Sequence, residues 1–112
     1  MARTVTIPYH LVASGGDSDE IDLYEVTVGR ILRIKRIITY FPAGNYGELE
    51  IAYFRGLEKV HPATGTLTGD QVVWDDDVDI VIESGSKLTL WYKNNNDTET
   101  REAFIHVIGV EE

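Results

Sequence analysis

The chain has 112 residues with no cysteine, and its 19 acidic and 10 basic residues leave a net charge of −9. That length predicts one domain, 1–112, and the missing thiols exclude disulfides and thiolate metal sites. The negative charge disfavours a nucleic-acid partner, since affinity there comes mainly from neutralising phosphates, and the 43% of hydrophobic residues excludes a disordered chain.

Surface scaling predicts roughly 6,200 Å² exposed after folding, which leaves enough buried surface for one compact core. The opening segment MARTVTIPYHLVASGGDSDE alternates apolar with polar residues. It lacks the continuous apolar stretch of a signal peptide, and no run reaches the length of a membrane span, so synthesis in the cytoplasm without a signal peptide, and no membrane partner, are expected.

A period of two recurs along the chain and predicts strands. The first run is Thr4 to Ala13, with Val5, Ile7, Tyr9 and Leu11 on one face. Pro8, on the other face, marks an edge strand because it cannot donate to a ladder. A polar loop, Ser14 to Asp19, leads to a second run from Glu20 to Val28. The third, Arg30 to Phe41, carries Arg30, Arg33, Lys35 and Arg36 among its isoleucines. Neither parity of this run is uniformly apolar, which predicts a bulge or a change of buried face near Lys35 to Ile37. Pro42 to Gly47 turns the chain, with Gly and Asn expected at positive φ.

Glu48 to Arg55 then alternates cleanly, with Leu49, Ile51 and Tyr53 inward. A loop punctuated by Pro62, Gly65 and Gly69 follows, with room for a short strand at Glu58 to Val60. Gln71 to Trp74 and Val78 to Ile82 read as two short strands. Lys87 to Lys93, a polar tip at Asn94 to Thr98, and Thr100 to Val110 complete the chain. This pattern predicts an all-β antiparallel sandwich of about eight strands, jelly-roll-like.

No constellation for chemistry stands out, so no catalytic residue, cofactor or metal is assigned. The G-x-S-x-G elbow is absent, and His10, His61 and His106 are far apart without the H-x-H pair of a metal-binding jelly roll. Two carboxylate groups, Asp17, Asp19, Asp22 and Asp75, Asp77, Asp79, imitate the start of an EF-hand loop. Both lack its later Gly and Glu, which leaves only an irregular calcium site as an option. Trp74, Trp91, Tyr92, Tyr46 and Tyr53 would suit a carbohydrate-binding module if they shared one exposed face; otherwise they fill the core or an interface.

The basic stripe has three readings. Its cations pair within the molecule, with Glu48 and Glu50 on the next strand; or they meet an acidic patch of another copy; or they hold an anionic ligand against the opposing field. On parity, Arg33 and Lys35 point together and are the candidates for a subunit or partner interface. Trp91 joins them because its parity opposes that of Leu88, Leu90 and Tyr92.

At FPAGNYGELEI, PATGTLTGD, ESGSKLTLWYKNNND and REAFIHVIGV, the chain resembles small β-sandwich structural proteins of tailed viruses and prophages. The resemblance covers roughly Arg30 to Val110 and implies a non-enzymatic virion protein, made in the host cytoplasm. Such a subunit decorates or cements a capsid, or belongs to a tail or fibre, as a homotrimer, and the family has no catalytic residues to transfer. The partners expected are further copies and a larger particle; the alternative is the carbohydrate-binding module.

Overall fold

A computed structural model describes residues 2–112, and every regular element among them is a strand. They are β1 (Arg3–Ala13), β2 (Ser18–Glu25), β3 (Leu32–Phe41), β4 (Leu49–Arg55), β5 (Glu58–His61), β6 (Val72–Ile82), β7 (Lys87–Asn94) and β8 (Arg101–Glu111). Two four-stranded sheets face each other, one ordered β1-β8-β3-β6 and the other β2-β7-β4-β5. All pairings are antiparallel: β1 with β8, β2 with β7, β3 with β6, and β4 with β5. The chain is thus one long hairpin, folded back at the Arg55–Glu58 turn. It is rolled until β8 also meets β3 and β7 also meets β4. This winding is the jelly roll that the strand pattern predicts.

The accessible surface is 6065 Å², close to the value that chain size predicts. Alternation decides which side chains fill the space between the sheets. Leu11, Ile34, Ile37, Leu49, Ile51, Ile82, Leu88 and Leu90 are buried there. Tyr53 is buried with them, its hydroxyl 2.7 Å from Thr39 Oγ1, and burial pushes its pKa well above the usual phenol value.

Pro8 lies on an edge strand, as its missing donor requires, since β1 pairs with β8 alone. The predicted bulge is present: the register of β3 shifts between Ile34 and Arg36 against both neighbours. Two details of the turn at 42–48 differ from expectation. Positive φ falls on Gly44, Tyr46 and Gly47, whereas Asn45 turns its side chain inward. Its amide donates to Pro42 O and Glu102 O and accepts from Glu102 N.

Gln71 to Trp74 and Val78 to Ile82 belong to one continuous strand, β6, rather than two. Asp75, Asp76 and Asp77 look like a turn in isolation. They stay in the ladder because each sits opposite a residue of β3, Ile38, Ile37 and Arg36 respectively.

Glu111 fastens the far end of the roll. Its side chain is fully buried, and it accepts hydrogen bonds from Arg3 at 3.1 and 2.8 Å and from the Tyr24 hydroxyl at 2.9 Å. Burial opposes the charge, but Tyr24, Arg3 and the Thr27 backbone outweigh it and hold the carboxyl below its ordinary value of 4.5. A depressed folded pKa means that the stabilisation is complete above the unfolded value and is lost as pH falls through the folded one. The Glu111→Gln variant is therefore expected to be less stable than the parent at neutral pH. Urea denaturation at pH 7 and at about pH 3.5 should show the gap narrowing on acidification; a gap independent of pH would mean that the charge contributes nothing.

Candidate interaction surface

Every sheet edge in this protein is guarded against pairing with another chain. Pro8 interrupts β1, and β2 is bulged and carries Asp19, Glu20, Asp22 and Glu25. The third edge, β5, spans only Glu58–His61, and β6 presents Asp75, Asp77 and Asp79. Proline, bulges, short strands and charge are the devices by which sheets avoid edge-to-edge addition. What remains for association is the two outer faces and the turns at the ends of the roll, where Val28, Tyr46 and Leu57 are exposed.

The outer face of the first sheet is built from the residues that alternate with the core. Register places His10 beside Phe104 and Phe104 beside Tyr40, with Val73 beyond. In the next row stand Pro8, His106, Ile38 and Asp75. The His10 and Phe104 rings stack at 4.3 Å between centroids and 3° between planes, and Tyr40 stacks on the other side of Phe104 at 6.1 Å. Pro8, His10, Ile38, Tyr40, Phe104 and His106 of these rows line a shallow cleft of about 410 Å³. Phe104 on β8 is 42% exposed, and Val12 on one edge strand and Val73 on the other are 54% and 56% exposed, so apolar exposure is spread across this sheet face. His10 Nε2 lies 3.0 Å from Glu102 Oε2 at the rim.

The cations of the third strand lie on the same face, below the aromatic rows. Because of the bulge, Arg33 and Arg36 both point outward and Lys35 occupies the bulge between them. Their partners come from β6 and the C-terminus. Arg36 holds Asp75 in a two-pronged contact at 2.7 and 2.6 Å, Lys35 meets Asp79 at 3.3 Å and Arg33 lies 3.6 Å from Glu112. The Arg36 guanidinium lowers the Asp75 pKa through these hydrogen bonds.

Pairing with Glu48 and Glu50, expected from the sequence, does not occur, because the turn at 42–48 carries the chain across to the other sheet. Glu48 instead meets Arg101 at 3.0 Å. Glu50 accepts from Asn95 and Thr66, and the Asn95 hydrogen bond above all depresses its pKa.

Trp91 lies on the opposite side of the molecule. It stands on the outer face of the second sheet between Glu20 and Ala52 and is half-buried. Arg33 and Lys35 therefore share a surface, and Trp91 belongs to another.

The remaining aromatics do not share an exposed face either. Tyr53 and Tyr92 are buried. The Trp74 ring donates its Nε1–H to Thr68 O at 2.8 Å, and Tyr46 lies under the Arg101 guanidinium, 5.6 Å from the ring centroid.

His61 and Asp76, 2.9 Å apart, form a half-buried pair between the sheets. Among the described residues, no group of three or more His, Asp or Glu side chains is arranged to hold a metal ion.

Phe104, Tyr40 and His10 were not distinguishable as a group in the sequence. One signal was available: Phe104 is out of phase with Ala103, Ile105 and Val107, which predicts an aromatic ring on a solvent-facing position.

No protein-family model and no curated protein matches the sequence. Solved structures share its fold at low identity. The structure of the acid-stable capsid of the Helicobacter pylori bacteriophage KHP30 aligns with a TM-score of 0.57 and 15% identity, over 100% of this chain and 98% of that one. A chain of the cyanophage Pam1 capsid aligns at 0.52 and 10%, over 98% and 84%. The VP2 protein of infectious bursal disease virus, in T=1 particles, aligns at 0.60 and 11%. There the alignment covers 98% of this chain, which spans only 31% of VP2.

Proposed function

We propose that this chain is a non-enzymatic structural subunit of a virus particle, a jelly roll that self-associates and decorates or cements a capsid or forms another part of the virion. The observation that carries the reading is the end-to-end likeness of fold to a bacteriophage capsid chain of nearly the same length. The guarded edges support it as well. They leave the subunit free of strand addition and direct association to its faces and end turns, where geometry can specify a closed assembly. On this reading the residues form a single domain, 1–112, located in the virion, and neither nucleic acid nor membrane is a partner.

Arg33 and Lys35 on one face and Trp91 on the other serve as subunit or particle contacts. Two separate contact surfaces suit a subunit that must touch more than one neighbour, as a trimer or within a larger shell.

Sedimentation velocity over a rising concentration series, with electron microscopy of the concentrated sample, tests the proposal. Discrete oligomers or particles are the expected result. A single monomer boundary at every concentration, with no regular objects on the grid, overturns it.

A further inference from the structure

We propose that residues 58–70, which comprise β5 and the segment after it, form a latched strap over the edge of β4. The strap opens as a unit while the rest of the sandwich stays folded, and when closed it guards an edge that has no protection of its own. The device goes beyond the virion reading and does not depend on it.

The need for a strap lies in β4. Without β5, the second sheet would end at this strand. It reads LEIAYFR, with Leu49, Ile51, Ala52 and Tyr53 buried. It contains no proline, pairs with β7 without a register shift and carries single charges of opposite sign, Glu50 and Arg55. The proline of β1, the bulge of β2 and the carboxylates of β6 have no counterpart on it. A regular, apolar strand without net charge adds further strands once its edge is free.

The cover over that edge is thin. β5 pairs with β4 through Tyr53 and His61, Phe54 and Lys59, and Arg55 and Glu58, and the register shifts between Tyr53 and Phe54. Further along, Ile51 and Leu67 form an isolated bridge and exchange backbone hydrogen bonds at 2.9 and 2.8 Å. Within 58–70, Leu67 alone is buried. A segment that buries so little apolar surface opens at a lower free energy than the core strands around it.

Side chains of the first sheet supply the latches. His61 Nε2 meets Asp76 Oδ2 of β6 at 2.9 Å, and the Trp74 indole on the same strand donates to Thr68 O at 2.8 Å. Asp70 accepts from the Gly44 and Asn45 amides at 2.7 and 3.2 Å, which ties the far end to the 42–48 turn. β6 thus holds down a segment whose backbone belongs to the other sheet. When the strap lifts, the Ile51 N–H and C=O lose their partners. Tyr53, whose ring lies 6.0 Å from that of His61, loses its cover.

Native-state hydrogen exchange by NMR at low urea concentrations tests the strap. In the parent, the Ile51 and Leu67 amides should share one opening, with faster exchange and a weaker urea dependence than the β3-β8 ladder. Asp76→Ala and Trp74→Phe each remove one latch and should speed both amides about tenfold, the effect of one lost hydrogen bond. Val107→Ala, in the core of β8, should speed the ladder and leave Ile51 and Leu67 unchanged, because that part of the sandwich stays folded when the strap lifts. In a second arm, Asp76→Ala should form thioflavin-binding aggregates several times faster than the parent.

If Ile51 and Leu67 follow the urea dependence of the ladder, or Val107→Ala speeds them as much as the ladder, no separate strap exists. If the latch variants leave both amides unmoved, the latches are wrong. Equal aggregation of Asp76→Ala and the parent overturns the guarding role.

Discussion

Replacing Gly109 by alanine is expected to cost the fold about 3 kcal/mol, at the upper end of what overpacking costs. Gly109 sits on β8 between Val5 of β1 and Ile34 of β3, directly beside the β3 bulge. A Cβ there would lie 2.5 Å from Arg33 O, 3.1 Å from Ile34 Cα and 3.2 Å from Arg33 C. All three atoms belong to backbone, so the clash cannot be relieved by turning a side chain. Either the bulge moves or β8 separates from β3, and both strands carry core residues on one face and the aromatic rows on the other.

Against a typical domain stability of about 5–15 kcal/mol, a loss of that size removes a large share of the total. Gly44→Ala is the control. Gly44 has φ of 98° but open space around the added carbon, so its cost is limited to backbone strain of about 1–2 kcal/mol. Urea denaturation should rank Gly109→Ala clearly below Gly44→Ala. The reverse order would show that the sheet yields at the bulge.

The bulge beside Gly109 also marks how far the sequence could be read. Alternation located the strands because a strand with one face in the core must keep its apolar residues in phase. The same logic exposed the irregularity in β3, where Leu32 and Ile34 occupy one parity and Ile37, Thr39 and Phe41 the other. What alternation does not carry is which strands become neighbours.

The cations of β3 illustrate the difference. Their acidic partners at Asp75 and Asp79 lie about forty positions downstream, joined to them only because β6 returns to pair with β3. Nearest in sequence were Glu48 and Glu50, which the roll places in the other sheet. The aromatic rows are a stronger case. His10 and Phe104 come from the two ends of the chain and stack only when β1 pairs with β8. Trp91 was legible as an outward-facing residue, but the sheet it belongs to was not, so its separation from Arg33 and Lys35 could not be foreseen.

The Asn-rich segment near residue 95 reads as a solvated tip, yet its first residue is part of the buried framework, and Asn94→Ala is expected to cost about 3 kcal/mol. Asn94 is 2% exposed. Its side-chain amide donates to Ala13 O at 3.1 Å, Ser14 O at 3.1 Å and Glu99 O at 2.9 Å, while its Oδ1 accepts from Asn96 N at 3.0 Å. The side chain therefore binds the end of β1 to the loop that leads into β8. Truncation would leave backbone carbonyls without donors where water has little access, and each such orphan costs about 1–3 kcal/mol.

Asn94→Asp separates hydrogen bonding from packing. It preserves shape and the acceptor for Asn96 but points a carboxylate at three carbonyl oxygens. Burial among acceptors raises the folded pKa of such a group above its unfolded value, so its charged form destabilises at neutral pH. Protonation restores one donor. The deficit of Asn94→Asp relative to the parent should thus shrink as pH falls toward the unfolded carboxyl value and below, whereas that of Asn94→Ala should not change with pH. Denaturation midpoints at two pH values distinguish the cases. Equal pH dependence in both variants would mean that the amide at this position serves only to fill space.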